Sequence, residues 1–192
     1  MIALTGDIVD EDHDSISSVE DLLKGIKDLA PIYFVTGNHE LTSLAATQYQ
    51  ELLALFQKYG VTDLDNDSVK LKKGGQSITL YGRQYFSQYL TDSLPIASDK
   101  DFDILLYHGS DNFKEIAPYH YDLIFSGHAH CGIVRLPIWG GIFGNDGTFF
   151  PEYAGGEYTI GDATLISSRG LGDASIPRFN NPPELVVIKL NP

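Results

Sequence analysis

The residues best suited to chemistry in this sequence are Asp7, the run Asn38-His39-Glu40, His108, and the pair His128 and His130. A carboxylate, an amide oxygen and imidazoles together suit a borderline divalent ion such as Zn, Fe, Mn or Co. A glycine accompanies each candidate: Gly6, Gly37, Gly109 and Gly127. At such places the chain leaves a strand sharply, and glycine accepts positive φ at little steric cost. His128 and His130 are two apart, so both face one centre only from an irregular loop or around a bend.

What must position these residues is a set of strands whose ends meet. Ile2–Thr5 is a short apolar run ending at Gly6-Asp7, and Ile32–Thr36 is a β-branched and aromatic run ending at Gly37-Asn38. Asp103–Tyr107 and Asp122–Ser126 are apolar strands ending at His108-Gly109 and Gly127-His128. The spacing of Val19, Leu22, Leu23 and Ile26 predicts a helix over Ser18–Asp28. Leu44, Leu52, Leu53 and Phe56 predict a second over Ser43–Tyr59, with Gly60 just past its end. Strand, polar turn and helix in alternation imply parallel strands with loops at their carboxyl ends, where ligand sites form in open α/β sheets.

Further along, Val69–Leu71 and Ile78–Tyr81 flank a hairpin turn at Lys72–Gln76. A short helical piece near Asn112–Ala117 closes at Pro118, and Glu184–Leu190 alternates like a final edge strand. The expected fold is one α/β domain over residues 1–192, with two mixed β-sheets packed face to face and flanking helices outside.

Bulk composition narrows the function classes. Hydrophobic residues at 43% allow a sizeable core and exclude a disordered chain. A formal net charge of −13 argues against a broad basic face for nucleic acid or an anionic membrane. A phosphate substrate stays open, because bound divalent cations invert the field at one site. No apolar run reaches the roughly 18–20 residues that span a bilayer, and no signal-peptide pattern opens the chain. The single cysteine, Cys131, rules out an intrachain disulfide and is read as a small packed side chain.

Gly6-Asp7, Gly37-Asn38-His39-Glu40, His108 and Gly127-His128-Ala129-His130 stand in an order that resembles the motifs of the calcineurin-like metallophosphoesterase superfamily. Phe149-Phe150-Pro151, Gly155, Tyr158, Ser168-Arg169-Gly170-Leu171-Gly172 and Pro183-Glu184-Leu185 resemble its bacterial YkuE/YaeI-type branch. The resemblance implies a four-layer α/β/β/α sandwich and two divalent ions, Mn, Zn or Fe. By position, Asp7 corresponds to the carboxylate that bridges both ions. Asn38, His108 and His128 correspond to the other ligands of one ion, and His130 to a ligand of the second. His39 corresponds to a catalytic histidine near the leaving group, with Glu40 orienting it. The implied activity is hydrolysis of a phosphoester, monoester or diester, by in-line attack of a metal-activated water. Its substrate is expected to be a small or lipid-linked molecule, not nucleic acid. The alternative is a chain that binds one metal ion, or phosphate, without turnover.

The family pattern opens with a strand ending in Asp-x-His, whereas Met1 stands six residues before Asp7. The resemblance therefore carries the expectation of an amino-terminally truncated domain whose first strand is missing. One ion would be well bound, and the second would keep only Asp7 and His130. The uncovered sheet edge would favour a homodimer. The expected location is cytoplasmic for the chain as it stands, and membrane-associated where an amino-terminal segment carries an anchor. His13 and His120 are read as loop residues, Tyr153, Tyr158, Phe149 and Phe150 as core, and Arg169 and Arg178 as structural or as phosphate contacts.

Overall fold

The structure, a computed structural model, describes residues 1–9, 16–85, 90, 94–98, 101–129, 134–136, 140–143, 148–172 and 178–191. Three short strands, β1 (Ile2–Leu4), β2 (Ile32–Phe34) and β3 (Val61–Asp63), form a parallel sheet in the order β1-β2-β3. Their connections are helical: α1 (Ser17–Ile26) precedes β2, while α2 (Asn38–Thr42) and α3 (Ala46–Tyr59) precede β3. Helical spacing puts Val19 and Leu23 of α1, with Leu52 and Phe56 of α3, against Ile32 and Phe34. The Phe34 and Phe56 rings meet at 4.6 Å. Each such side chain removed from water contributes about 1.5–3 kcal/mol.

The second sheet contains β4 (Ser68–Lys73), β5 (Gln76–Arg83), β6 (Phe102–Tyr107) and β7 (Leu123–Ser126). A separate hairpin follows, β8 (Val134–Leu136) and β9 (Gly140–Phe143), before β10 (Gly156–Ile160) and β11 (Ala163–Ser167) return to the sheet. The strand order is β10-β11-β7-β6-β5-β4, parallel at the centre and antiparallel at both edges. β6 reads as an almost continuous apolar run because both of its faces are covered. Ile104 and Leu106 join Tyr33, Val35, Leu80 and Leu123 between the two sheets. Leu105 and Tyr107 pack on the other side with Phe113 and Ile116 of α4 (Phe113–Ile116). The layers therefore run helix, sheet, sheet, helix, with both sheets ending at one rim.

The first sheet is wholly parallel over its described strands, not mixed. The helix read over Ser43–Tyr59 starts at Ala46, because residues 38–42 form their own turn and Ala45 is extended at ψ 154. Gln48 then accepts the Ala45 amide at 2.9 Å and closes the new first turn. The piece read as closing at Pro118 continues through it as a 3-10 turn, Ala117–Tyr119, where proline sits in a first turn and removes no bond. Residues 184–190 lie in no strand, although Leu185 and Val187 stand at strand spacing and, with Leu190, are exposed. Alternation signals the capacity for a ladder, and no ladder partner is present among the described residues. Tyr153 is buried and Tyr158 packs beside it, but Phe149 and Phe150 are 71% and 57% exposed instead of core. Among the described residues no helix is long and apolar enough to cross a membrane.

Candidate metal centre

Where β1 ends, Gly6 at φ 84 and Asp7 at φ 52 turn the chain back on itself. A Cβ at Gly6 would come within 2.5 Å of the Gly37 nitrogen and 2.8 Å of His108 Nδ1, so the position needs glycine twice over. A Cβ at Gly37 would strike the Asp7 carboxylate and come within 2.6 Å of its amide. The loops after β1 and β2 thus interlock through bare backbone, and the His39 amide donates to Asp7 Oδ1 at 2.9 Å.

A non-glycine residue such as Asp7 in the left-handed region costs on the order of 1 kcal/mol and must be held there. Glu40, 2% exposed, does this. Its Oε2 accepts the amides of Asp7 at 2.9 Å and Gly37 at 2.8 Å, and its Oε1 those of Ile8 at 2.8 Å and Val9 at 3.3 Å. Burial and the neighbouring Asp7 charge push the Glu40 pKa up, while the amide donors oppose them.

His108 arrives from the second sheet, at the end of β6, and is 1% exposed. Its Nδ1 lies 2.6 Å from the Thr5 carbonyl oxygen. A carbonyl can only accept, so the proton sits on Nδ1 and Nε2 presents a lone pair. Three atoms surround that lone pair: Asp7 Oδ2 at 2.9 Å, His128 Nδ1 at 3.1 Å and Asn38 Oδ1 at 3.2 Å. His128 can donate one bond at most, which leaves a carboxylate oxygen and an amide oxygen as pure acceptors beside a lone pair. Asp7 Oδ2 is accordingly buried without a hydrogen-bond donor.

Such convergence is costly unless a cation stands at its centre. A proton meets part of the need. Burial pushes His108 down, but Asp7 outweighs burial and the net shift is upward; burial pushes Asp7 up, but His108 prevails and the carboxyl falls below its ordinary range. A divalent ion fits the atoms better. Ligands each about 2.1 Å from one ion stand roughly 3–3.4 Å apart, close to the separations around His108 Nε2. A ligating imidazole is also usually oriented by its other N–H on a carbonyl or carboxylate. Donor atoms of Asp7, His108 and His128 all lie within 4.8 Å of one another.

The remaining sequence candidates are distributed as follows. His39 stands at the solvent side of the cluster, with Nε2 3.8 Å from Asp7 Oδ2 and its side chain 23% exposed. The expectation that Glu40 orients His39 gives way, because the four bonds of Glu40 go to backbone amides of two loops. His130, Cys131 and His13 lie outside the described residues. His120 is an exposed turn residue at φ 64. Arg169 pairs with Glu184 at 3.4 Å, and Arg178 donates to the carbonyls of Gly170 and Gly172.

Two contributors carry no motif in the sequence. The Tyr85 ring lies 5.3 Å from both His108 and His128, edge-on to the first and tilted 32° to the second. Asp65 accepts the Thr36 amide at 2.8 Å and bonds the Thr36 hydroxyl, fixing the loop two residues ahead of Asn38. Burial pushes the Asp65 pKa up to about 6.

Comparison with known proteins gives the class. The family model described as Calcineurin-like phosphoesterase matches residues 1–132. The metallophosphoesterase YkuE of Bacillus subtilis is 28% identical over 198 residues, covering 99% of this chain and 67% of YkuE. The phosphodiesterase YaeI of Escherichia coli is 24% identical over 192 residues, covering 99% of this chain and 70% of YaeI. The solved structure of the Thermus thermophilus sulfate thiohydrolase SoxB superposes with a TM-score of 0.54 at 16% identity, which shows a shared fold. It covers 87% of this chain, which spans about a third (33%) of the SoxB chain.

The chain belongs to the calcineurin-like phosphoesterase family. Members of that family generally bind divalent metals, and the Asp7, His108 and His128 cluster is where this chain gathers metal-binding groups.

Proposed function

We propose that this chain is a metal-dependent phosphohydrolase that cleaves phosphoester bonds, diester or monoester, with water. The observation that carries the reading is the meeting of Asp7 Oδ2, Asn38 Oδ1 and His128 Nδ1 around the lone pair of His108 Nε2. The names of YkuE and YaeI support the same class of reaction. Asp7, Asn38, His108 and His128 would hold one ion of Mn, Zn or Fe, and His130 would join Asp7 at a second. Such an ion, when bound, lowers the pKa of water and offsets phosphate charge.

The chain's own residues supply position and a proton. Asp7 is locked by the Glu40 clamp and by the His39 amide, so its free oxygen keeps one direction. His39, at the solvent side, holds the proton for the leaving group. As the water oxygen bonds to phosphorus and the bond to the leaving oxygen breaks, that proton passes from His39 to the leaving oxygen, and the attacking water gives up a proton to solvent. No side chain becomes covalently attached, so catalysis rests on preorganised charge. The substrate is a small or lipid-linked phosphoester; a net charge of −13 gives nucleic acid no broad basic face to bind.

Hydrolysis of an aryl phosphodiester with added Mn tests the reading. His39→Ala is expected to lower kcat by about 10²–10⁴-fold while bound metal is retained. Activity equal to wild type in that variant refutes the assignment of His39. Metal binding without turnover on any phosphoester would leave a binding protein in place of an enzyme.

A further inference from the structure

Among the described residues, half-buried cations are partnered with one exception. Arg83 donates to Asn66, Arg169 to Glu184, and Arg178 to two carbonyls. Among the described residues Arg135 of β8 is held by its backbone: its amide donates to the Phe179 carbonyl at 3.0 Å, and its carbonyl accepts from Asn180 at 3.3 Å. No described carboxylate pairs with its guanidinium.

Arg135 helps to line a cavity of about 280 Å³ between the β8–β9 hairpin and the segment leading into β10. Gly140, Gly141 and Gly155 form bare walls, and Phe150 and Tyr158 supply aromatic ones. Glu152 also borders the cavity, but Lys114 pairs with it at 2.7 Å. Phe150 carries a cost that packing does not explain. It sits at φ 56, a region bulky residues avoid, with its amide donating to the Ile142 carbonyl at 2.8 Å and its ring 57% exposed. Strain combined with exposure is more common at binding sites than in scaffolds.

Gly155 in the cavity wall precedes Gly156, which stands at the strand-end rim that carries the metal centre. Gly156 is in register with Ser167, and Ser167 with Ser126, two residues before His128. Two strand spacings amount to about 10 Å. We propose that this cavity is an oxyanion pocket, in which Arg135 holds a carboxylate or phosphate group and Phe150 and Tyr158 flank its apolar body. The volume suits one anionic group and a ring, smaller than the roughly 300–1,000 Å³ of pockets for larger ligands. Arg presents a planar fork that matches an oxyanion with two parallel bonds. Resting on the phosphohydrolase reading, the pocket assigns a substrate class: phosphoesters bearing a second anionic group besides the scissile phosphate.

Calorimetric titration with benzenesulfonate reads the pocket directly, since sulfonate is a weak ligand for divalent ions and is not a phosphoester. Wild type is expected to bind it, Arg135→Gln to bind at least tenfold more weakly, and Arg135→Lys to fall between them. Benzoate and phenylphosphonate, titrated in the same way, distinguish a carboxylate pocket from a phosphate pocket. In hydrolysis, an aryl diester with a carboxylate or phosphonate tail is expected to show a KM at least tenfold lower than its neutral-amide counterpart. That preference should vanish in Arg135→Gln. Absence of benzenesulfonate binding, or binding unaffected by Arg135→Gln, overturns the pocket and leaves the hydrolase reading intact. Arg135-dependent binding in a protein that hydrolyses no phosphoester upholds the pocket and refutes the hydrolase reading.

Discussion

Glu40→Gln is the perturbation whose effect can be worked most fully from the structure. The carboxylate accepts four backbone amides, two on each oxygen, at 2.8–3.3 Å. Glutamine offers one oxygen and an NH₂ group, so two amides keep an acceptor and two face a donor. Losing two charge-assisted bonds costs about 3–6 kcal/mol. Removing a buried charge beside Asp7 offsets part of this, because burial and Asp7 both disfavour the ionised form. A net loss near the low end of that range, about 3 kcal/mol, is a large share of the roughly 5–15 kcal/mol that holds a domain folded. For a chain of this length it corresponds to a Tm lower by roughly 5–15 °C. Asp7 would also be released from its left-handed backbone, so metal affinity should fall about 10–100-fold, as when an outer partner of a ligand is lost. Differential scanning calorimetry and a metal titration measure the two effects. A Tm within about 2 °C of wild type, with metal affinity unchanged, would refute the clamp.

Asp65 gives the pH dependence. Its folded pKa is raised to about 6 from an ordinary 3.8, so its ionisation opposes folding. The penalty is absent below the unfolded value, grows as pH rises from 4 to 6, and reaches at most about 3 kcal/mol above that. Asp65→Asn should therefore gain stability relative to wild type as pH rises across that window; a Tm difference independent of pH contradicts this. We also propose a homodimer between two copies of the chain. Among the described residues β1 stands at one edge of its sheet, and Leu185, Val187 and Leu190 lie in an exposed apolar segment of the same molecule. Light scattering should give twice the chain mass of 21.2 kDa, and a monodisperse monomer excludes the contact.

The elements that position the centre were legible because they are buried on both sides. The apolar runs before His108 and His128 read as strands, since parallel strands covered on two faces need no alternation. The glycines beside the ligands were legible for a related reason: interlocked loops leave no room for a Cβ at Gly6 or Gly37. β3 was not read, because three residues with two exposed carry little pattern. The turn of α2 was hidden because its first residues, Asn38 and His39, are poor helix formers held by tertiary contacts. Glu40 could be named but not placed, since three of its four partners are amides of the distant loop after β1. Tyr85 and Asp65 act through packing and one loop amide, which no local spacing reveals. The strand expected over Glu184–Leu190 shows the opposite error: the pattern records a capacity to pair, not a partner.

The central claim is that Asp7, Asn38, His108 and His128 hold a divalent ion. The direct test is metal content per chain, measured by mass spectrometry after equilibration with excess Mn or Zn and desalting. Asn38→Ala and His128→Ala are compared with wild type, because both residues are only half-buried and the variants should fold. One tightly held equivalent in wild type, lost in both variants, is the result predicted. No retained metal in wild type, or equal retention in all three proteins, would contradict it.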